Sequence, residues 1–332
     1  MRVPFDDLWT TMAAVLIRHG FVEDRARLCA RLFAEASRDG VATHGLDRFP
    51  RFVQNIRDGV VDVHARPVLV GSTGSMERWD GRRGTGNLNA WHSMDRAIAL
   101  ARGHGIACVA LANTNHWMRG GTYGWQAADA GVIGICWTNT MPNLPAWGSE
   151  VAQLGNNPLV LAVPRPGGPL VLDMAISQFS YGALESYRRR GEPLPVPGGY
   201  DPAGELTRDP AAIEQSRRPL PIGFWKGSGL ALMLDAMAAI LSGGRATHQI
   251  PADPALETAL SQVFVAIAVD AAGAASVAAR IVADLHASRS AAGERPRYPG
   301  QRTLEIREQS LREGVPVDAV VWERVRELGT EH

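Results

Sequence analysis

The chain has 332 residues, 45% hydrophobic and 20% charged, and its 34 Lys and Arg balance its 34 Asp and Glu. That balance argues against a nucleic-acid or membrane surface, and the length suits two or three lobes. No apolar run approaches membrane-spanning length, and the N-terminal MRVPFDDLWTTM carries two early acids and no signal-peptide core. Cys29, Cys108 and Cys136 are scattered in apolar surroundings without zinc-site spacing. They read as buried reduced thiols of a soluble cytoplasmic protein that holds no metal.

Residues 5–19 and 23–38 have the spacing of two amphipathic helices, with Asp6 and Asp7 near the first N-terminus and Gly20 and Gly40 as stops. A third helix is predicted from His44 to Asp58, kinked or split at Pro50. Residues 67–80 read as short strands with turns, and 87–103 as a helix. IACVALAN is a strand and GTYGWQAADAG a short helix; VIGICWTN, PLVLAVP and PLVLDMAIS are further strands. A helix follows over 180–192, then a Pro- and Gly-rich surface excursion over 191–221. Residues 226–242 form a helix apolar enough to be buried, 261–270 a strand and 275–289 a helix. Helical segments around Leu304–Arg312 and Asp318–Leu328 end the chain. The runs at Arg188–Arg190 and Arg217–Arg218 read as solvated faces. Several strands follow one another directly, without clean βαβ alternation. The expected class is therefore mixed α/β with a largely antiparallel sheet. Gly84-Thr85-Gly86 opens like a dinucleotide fingerprint, but the third glycine and the early βαβ unit are missing, so no Rossmann site is expected.

Two places carry chemistry. At Thr43-His44-Gly45, Arg48 follows His44 by four residues, which on a helix puts both on one face near N-terminal N–H donors. Arg grips a carboxylate in a fork, and His has a near-neutral pKa suited to protonating a carbonyl oxygen as it becomes an alkoxide. On spacing alone the plainer reading, an N-cap followed by surface residues, fits better. The second place is the block from Asn113 to Asn157. It places Asn113, Asn115, His116 and Arg119 after one strand and Thr138 and Asn139 after another, where sites collect in α/β folds. Gly120-Gly121 lets backbone come close to a ligand. Trp117 and Trp137 read as core aromatics. Lys226, with Gly227 and Gly229 at a helix start, would make a pyrophosphate cradle, or would simply be a glycine-rich helix entry.

This block and the Thr43-His44-Gly45 motif resemble the type-2 malate/L-lactate dehydrogenase family, nicotinamide-dependent oxidoreductases acting on CH–OH groups and unrelated to Rossmann-fold lactate dehydrogenases. The likeness runs nearly end to end. Trp117-Met118-Arg119-Gly120-Gly121 and Trp125-Gln126-Ala127-Ala128 narrow it to the 2,3-diketo-L-gulonate reductases. The resemblance implies a non-Rossmann cofactor domain with a largely antiparallel sheet. It divides the chain into a helical N-terminal domain over 1–75, joined by helices of 303–332, and an NAD(P)-binding and substrate region over 76–302 with an excursion around 140–221. It makes His44 the catalytic acid, with Thr43 where relatives usually carry serine. Thr43, Arg48, His116, Arg119 and Asn139 become substrate-binding residues. Three segments become cofactor-binding: Pro169, Leu170, Val171, Leu172, Asp173, Met174 and Ala175; Trp225, Lys226 and Gly227; and Gly300, Gln301 and Arg302. Asp173 either orients His44 catalytically or touches the cofactor. The implied coenzyme is NADH. NADPH stays open because Arg302 stands where NADH-using relatives carry an acid. The implied assembly is a homodimer acting on a small sugar acid or 2-oxo acid. Within the family the rivals are a malate, lactate or sulfolactate dehydrogenase and a cyclic imino-acid reductase. Outside it they are a non-catalytic sugar-acid or nucleotide-binding protein and, remotely, a hydrolase using Thr43 or Ser228.

Overall fold

The computed structural model describes residues 1–289 and 295–330, so the last two residues of the predicted 303–332 stretch lie outside them. Its centre is a seven-stranded sheet. In chain order the strands are β1 (Val68–Thr73), β2 (Met76–Asp80), β3 (Ile106–Thr114), β4 (Val132–Thr138), β5 (Leu159–Val163), β6 (Leu170–Met174) and β7 (Leu260–Ala268). The spatial order is β1-β2-β3-β7-β4-β5-β6. Only β2 and β3 run parallel; every other neighbouring pair is antiparallel. That parallel pair needs a crossover, which helix α4 (Gly86–His104) supplies.

Period-2 alternation assigns the two faces of the sheet. Val109 and Leu111 of β3 and Phe264 and Ala266 of β7 pack with α4 and with α5 (Gly121–Asp129). The intervening Ala110 and Val263 pack on the other side with Ala231, Leu234 and Ala238 of α8 (Trp225–Ser242). Trp137 is buried there, its indole N–H donating to Leu234 O at 3.0 Å.

A helical layer stands beside the sheet: α1 (Phe5–Arg18), α2 (Glu23–Arg38), α3 (Phe49–Arg57) and, from the far end of the chain, α11 (Ala319–Leu328). These four share one apolar cluster, in which Phe33 meets Phe49 edge-on at 5.3 Å. Arg2–Val3 pairs antiparallel with Val315–Pro316, bringing the chain ends together. Helices α6 (Tyr181–Arg190), α7 (Pro210–Ser216), α9 (Ala271–Ala287) and α10 (Gln301–Glu313) complete the fold.

Three sequence expectations change. The third helix starts at Phe49; before it come two 3-10 turns, Ala42–His44 and Leu46–Arg48, broken at Gly45 (φ −112, ψ −121). Gly45 lies against α2 so closely that a Cβ would stand 2.2 Å from Ser37 Oγ, and that hydroxyl accepts from Leu46 N–H at 2.8 Å. The 191–221 excursion has structure of its own: α7 and a two-stranded ribbon of Gly199–Tyr200 and Leu206–Thr207. Helix α8 buries only one side, leaving Trp225, Leu232, Met233 and Ile240 exposed. The Arg188–Arg190 run does face solvent, each arginine paired with a Glu at the surface.

The layers are tied by one buried carboxylate. Asp39, just beyond α2, accepts from Arg38 Nε at 2.8 Å, from Arg119 Nη1 at 2.6 Å, and from Arg307 of α10 at 2.9 and 2.7 Å. Its side chain is 1% exposed and that of Arg119 is 6% exposed. The three guanidiniums outweigh the cost of burial and hold the Asp39 carboxyl far below the usual carboxylate range. Removing the charge while leaving Arg119 buried strands an unpaired cation. Asp39→Asn is therefore expected to cost about 3–5 kcal/mol of stability, read as a lowered denaturant midpoint; an unchanged midpoint would show that the cluster does not hold the layers together.

Candidate active site

The site forms where the helical layer meets the end of β3. On one side the two 3-10 turns carry Thr43, His44 and Arg48. On the other, β3 ends at Thr114 and delivers Asn115 and His116. The imidazoles of His44 and His116 stack with centroids 5.8 Å apart and planes at 18°. Asn115 is buried and works as a hub. Its amide N–H groups donate to the carbonyls of Val60, Arg83 and Gly84, its oxygen accepts from Thr258 Oγ1 at 2.7 Å, and its backbone carbonyl accepts from Gln262. Gly86 makes this seat possible, because a Cβ there would fall 2.2 Å from His116 O. The abortive Gly84-Thr85-Gly86 fingerprint is thus a packing surface for the histidine.

Local strain accompanies the seat. Met118 adopts φ 65, in the region where a side chain is penalised, and its N–H donates to His116 Nδ1 at 3.0 Å. That bond leaves the proton of a neutral His116 on Nε2. His44 Nδ1 pairs with Thr43 Oγ1 at 3.2 Å, and the Thr43 methyl packs on Gly182, making α6 a wall of the site. Arg48 has a side chain 24% exposed and, among the described residues, one ionic neighbour, Glu257 Oε2 at 3.9 Å. This is longer than a hydrogen bond, so the guanidinium fork keeps donors for a ligand. Arg48, Glu257, Asn115, His116, Asn55 and Met118 are among the residues around a cavity of about 10 Å³, room for about one water.

Sequence reading missed Glu257, which sits in a Pro- and Ala-rich loop with no motif. It missed the hub role of Asn115, named only as a strand-end residue, and it missed Asp39. Only the Arg38-Asp39 helix end hinted at the last.

Two of the expected substrate contacts are engaged with protein groups. Asn139 is fully buried and its amide is spent on protein. It donates to Asp235 Oδ1 at 2.9 Å and to Arg245 O at 2.7 Å, and accepts from Ser261 N–H at 2.8 Å. It is scaffold between β4 and β7. Arg119 is committed to Asp39 and adds positive charge beneath the site. Gly120 and Gly121 serve protein packing, since a Cβ on Gly120 would meet the Trp117 ring and one on Gly121 would meet Asp173 Oδ2. Asp173 makes no hydrogen bond to His44 among the described residues; its Oδ2 accepts from Gly121 N–H at 2.7 Å.

The three predicted cofactor segments are strung along edge strand β6. At its start, Val171 N–H donates to Pro299 O at 2.9 Å, and Gly300 (φ 96) packs against Pro169 and Val171. Just past its end, Ile222 N–H donates to Ile176 O at 2.9 Å, which brings Trp225, Lys226 and Gly227 alongside. From Pro169 to Ile176 an extended chain covers roughly 23 Å at about 3.3 Å per residue, a span suited to an extended dinucleotide. Lys226 is exposed, and Arg295, Arg297 and Arg302 line an open groove with Glu305, so both ends offer cations to phosphates. Gln301 bonds His286 and Glu305.

A family model described as malate/L-lactate dehydrogenase matches residues 3–326. The chain belongs to the malate/L-lactate dehydrogenase family. It is 44% identical to a 2,3-diketo-L-gulonate reductase of Citrobacter koseri, over 99% of this chain and all of that one. Among solved structures, a malate dehydrogenase of Entamoeba histolytica superposes with a TM-score of 0.94 at 25% identity, covering 99% of this chain and 97% of that one. A sulfolactate dehydrogenase of Methanocaldococcus jannaschii does so with a TM-score of 0.92 at 25% identity, with the same coverage. The protein is an oxidoreductase of this family.

Electrostatics tune the two histidines. Burial, then Arg48 and Arg119, lower the His44 pKa from 6.5 to about 4. Burial, then Arg48 and His44, push His116 well below its ordinary value. Both rings are neutral in the fold at pH 6, where much of the unfolded chain's histidine is protonated. Their contribution to stability is thus complete above pH 6.5 and is lost as pH falls toward 4. Replacing both by Asn is expected to flatten the fall of melting temperature between pH 7 and pH 4.5; an equally steep fall in the variant would contradict the assignment.

Proposed function

We propose that this oxidoreductase reduces a 2-oxo sugar acid, most specifically 2,3-diketo-L-gulonate to 3-dehydro-L-gulonate, with a reduced nicotinamide coenzyme. The observation that carries the reading is the Arg48 fork, its donors unspent, beside the stacked His44 and His116. The name of the Citrobacter koseri relative supports the sugar acid. The residues along β6 would hold the coenzyme, which would supply the hydride for the carbonyl carbon. Arg48 grips the substrate carboxylate. The carboxylate neutralises a charge that lowers the His44 pKa, so substrate entry raises the proton affinity of His44 and prepares it to protonate the new alkoxide. His116, its Nε2–H free to donate, holds a carbonyl or hydroxyl oxygen. Thr43 orients His44, and Asp173 acts on the coenzyme side by fixing the start of α5.

NADH is the coenzyme in this reading. The Arg295, Arg297 and Arg302 groove favours a second reading, NADPH, whose extra phosphate those arginines suit. We place the protein in the cytoplasm, in keeping with its free thiols at Cys29, Cys108 and Cys136. No helix among the described residues is long and apolar enough to cross a membrane. The working form in this reading is a homodimer. Trp225, Leu232, Met233 and Ile240 recur at helical spacing on the open side of α8, with Trp225 67% and Ile240 70% exposed, more apolar surface than a lone helix face leaves to water.

Oxidation of NADH and of NADPH by the purified protein with 2,3-diketo-L-gulonate tests the reading; no turnover with either would refute it. His44→Asn is expected to lower kcat by about 10²–10⁴-fold, with coenzyme affinity kept. Arg48→Gln should reduce kcat/KM about 100-fold and abolish the proton uptake on substrate binding that calorimetry in two buffers reads in the parent. For the assembly, Ile240→Glu is expected to give a monomer in sedimentation. A dimer unchanged by that substitution would rule out the α8 face.

A further inference from the structure

Glu257 is a buried acid that the proposed chemistry does not use. It follows the 3-10 turn Pro254–Leu256, which Asp253 caps by accepting from Ala255 N–H at 2.9 Å. The loop is fastened at both ends: Arg51 of α3 donates to Pro254 O, and Thr258 Oγ1 donates to Asn115 Oδ1 at 2.7 Å. Its acid is therefore held in place, with a side chain only 9% exposed.

The Glu257 carboxylate is poorly satisfied where it is held. Arg48 Nη2 stands 3.9 Å away, and Met141 N–H donates at 3.4 Å, at the weak end of the range. A carboxylate has about four lone-pair sites, and a buried one is costly unless they are filled. Glu257 lines the cavity shared with Arg48 and His116, and among the described residues it is the only acid on its wall.

We propose that Glu257 determines substrate specificity at this site, admitting a 2-oxo acid with a single carboxylate and a hydroxylated chain and turning away one with a second carboxylate. The inference rests on the reduction proposed above. Arg48 takes the one carboxylate. Hydroxyl groups of the chain donate to Glu257 and fill its acceptors, whereas a second carboxylate brings a like charge to Glu257 once Arg48 is taken by the first.

Glu257→Gln keeps the shape and removes the charge. On the whole protein, calorimetry with L-gulonate and with succinate reads binding without turnover, and kcat/KM is measured with 2,3-diketo-L-gulonate, oxaloacetate and pyruvate. The variant is expected to shift the ratio of L-gulonate to succinate affinity at least about 10-fold toward succinate. The kcat/KM ratio of sugar acid to oxaloacetate should shift in the same sense, while pyruvate, with neither a hydroxylated chain nor a second carboxylate, changes less than about 3-fold. An equal loss on all three substrates would mark Glu257 as a structural partner of Arg48 and overturn the inference. An unmoved affinity ratio would also overturn it, whatever the turnover. A parent protein that reduces none of the three acids would instead overturn the functional reading itself.

Discussion

Everything at the site depends on the carboxylate of Asp39. The segment leaving α2 has to hold His44 and Arg48 against the end of β3, and no regular hydrogen-bond ladder joins the helical layer to the sheet there. Asp39 replaces the ladder with charge-assisted bonds to three elements: its own helix through Arg38, the central block through Arg119 and helix α10 through Arg307. Arg307 also lies over the Trp125 ring at 4.3 Å, adding a contact to α5. Such a cluster is a poor source of net stability compared with apolar packing, but it is selective in geometry. Four residues separate it from His44, so the position of the imidazole follows from the position of the carboxylate.

The same cluster contributes to the field at the site. Arg119 and Arg48 act on His44, and Arg48 acts on His116, adding to burial, the larger cause, in keeping both rings neutral. That positive charge also favours an anionic ligand entering a half-buried place. Affinity for an acid and readiness of His44 to take a proton are therefore two results of one arrangement, since the arriving carboxylate cancels part of the charge that kept the ring neutral.

Much of this was legible in the sequence because it rests on periodicity. The strand runs IACVALAN, VIGICWTN and SQVFVAIAVD, placed without βαβ alternation, already exclude a doubly wound sheet, and Thr43-His44-Gly45 marks the loop that carries the histidine. What was not legible depends on distant partners. Asn139 has the composition of a ligand contact, but its neighbours Asp235, Arg245 and Ser261 come from about a hundred residues away or more and consume its amide. Arg119 looks like a free cation until Asp39 arrives, 80 positions earlier in the chain. The helix predicted from His44 fails for a local reason that only packing reveals: Gly45 is pressed onto Ser37, and the backbone leaves helical geometry to allow it. Helix α8 misleads in the opposite direction, because apolar composition says that a face will be covered without saying by what.

The broken helix has a chemical consequence. Continuous helix from His44 would set its side chain on the same face as Arg48, stacked one turn apart and both tied to the axis of α3. The break at Gly45 separates them into two 3-10 turns, so the imidazole can lie flat against His116 while the guanidinium faces the cavity beside Glu257. Each group is then fixed by a different support: His44 by Thr43 and the wall of α6, Arg48 by the first turn before α3. A proton donor and a carboxylate clamp must address different atoms of one small substrate, and independent supports let the two positions be set separately.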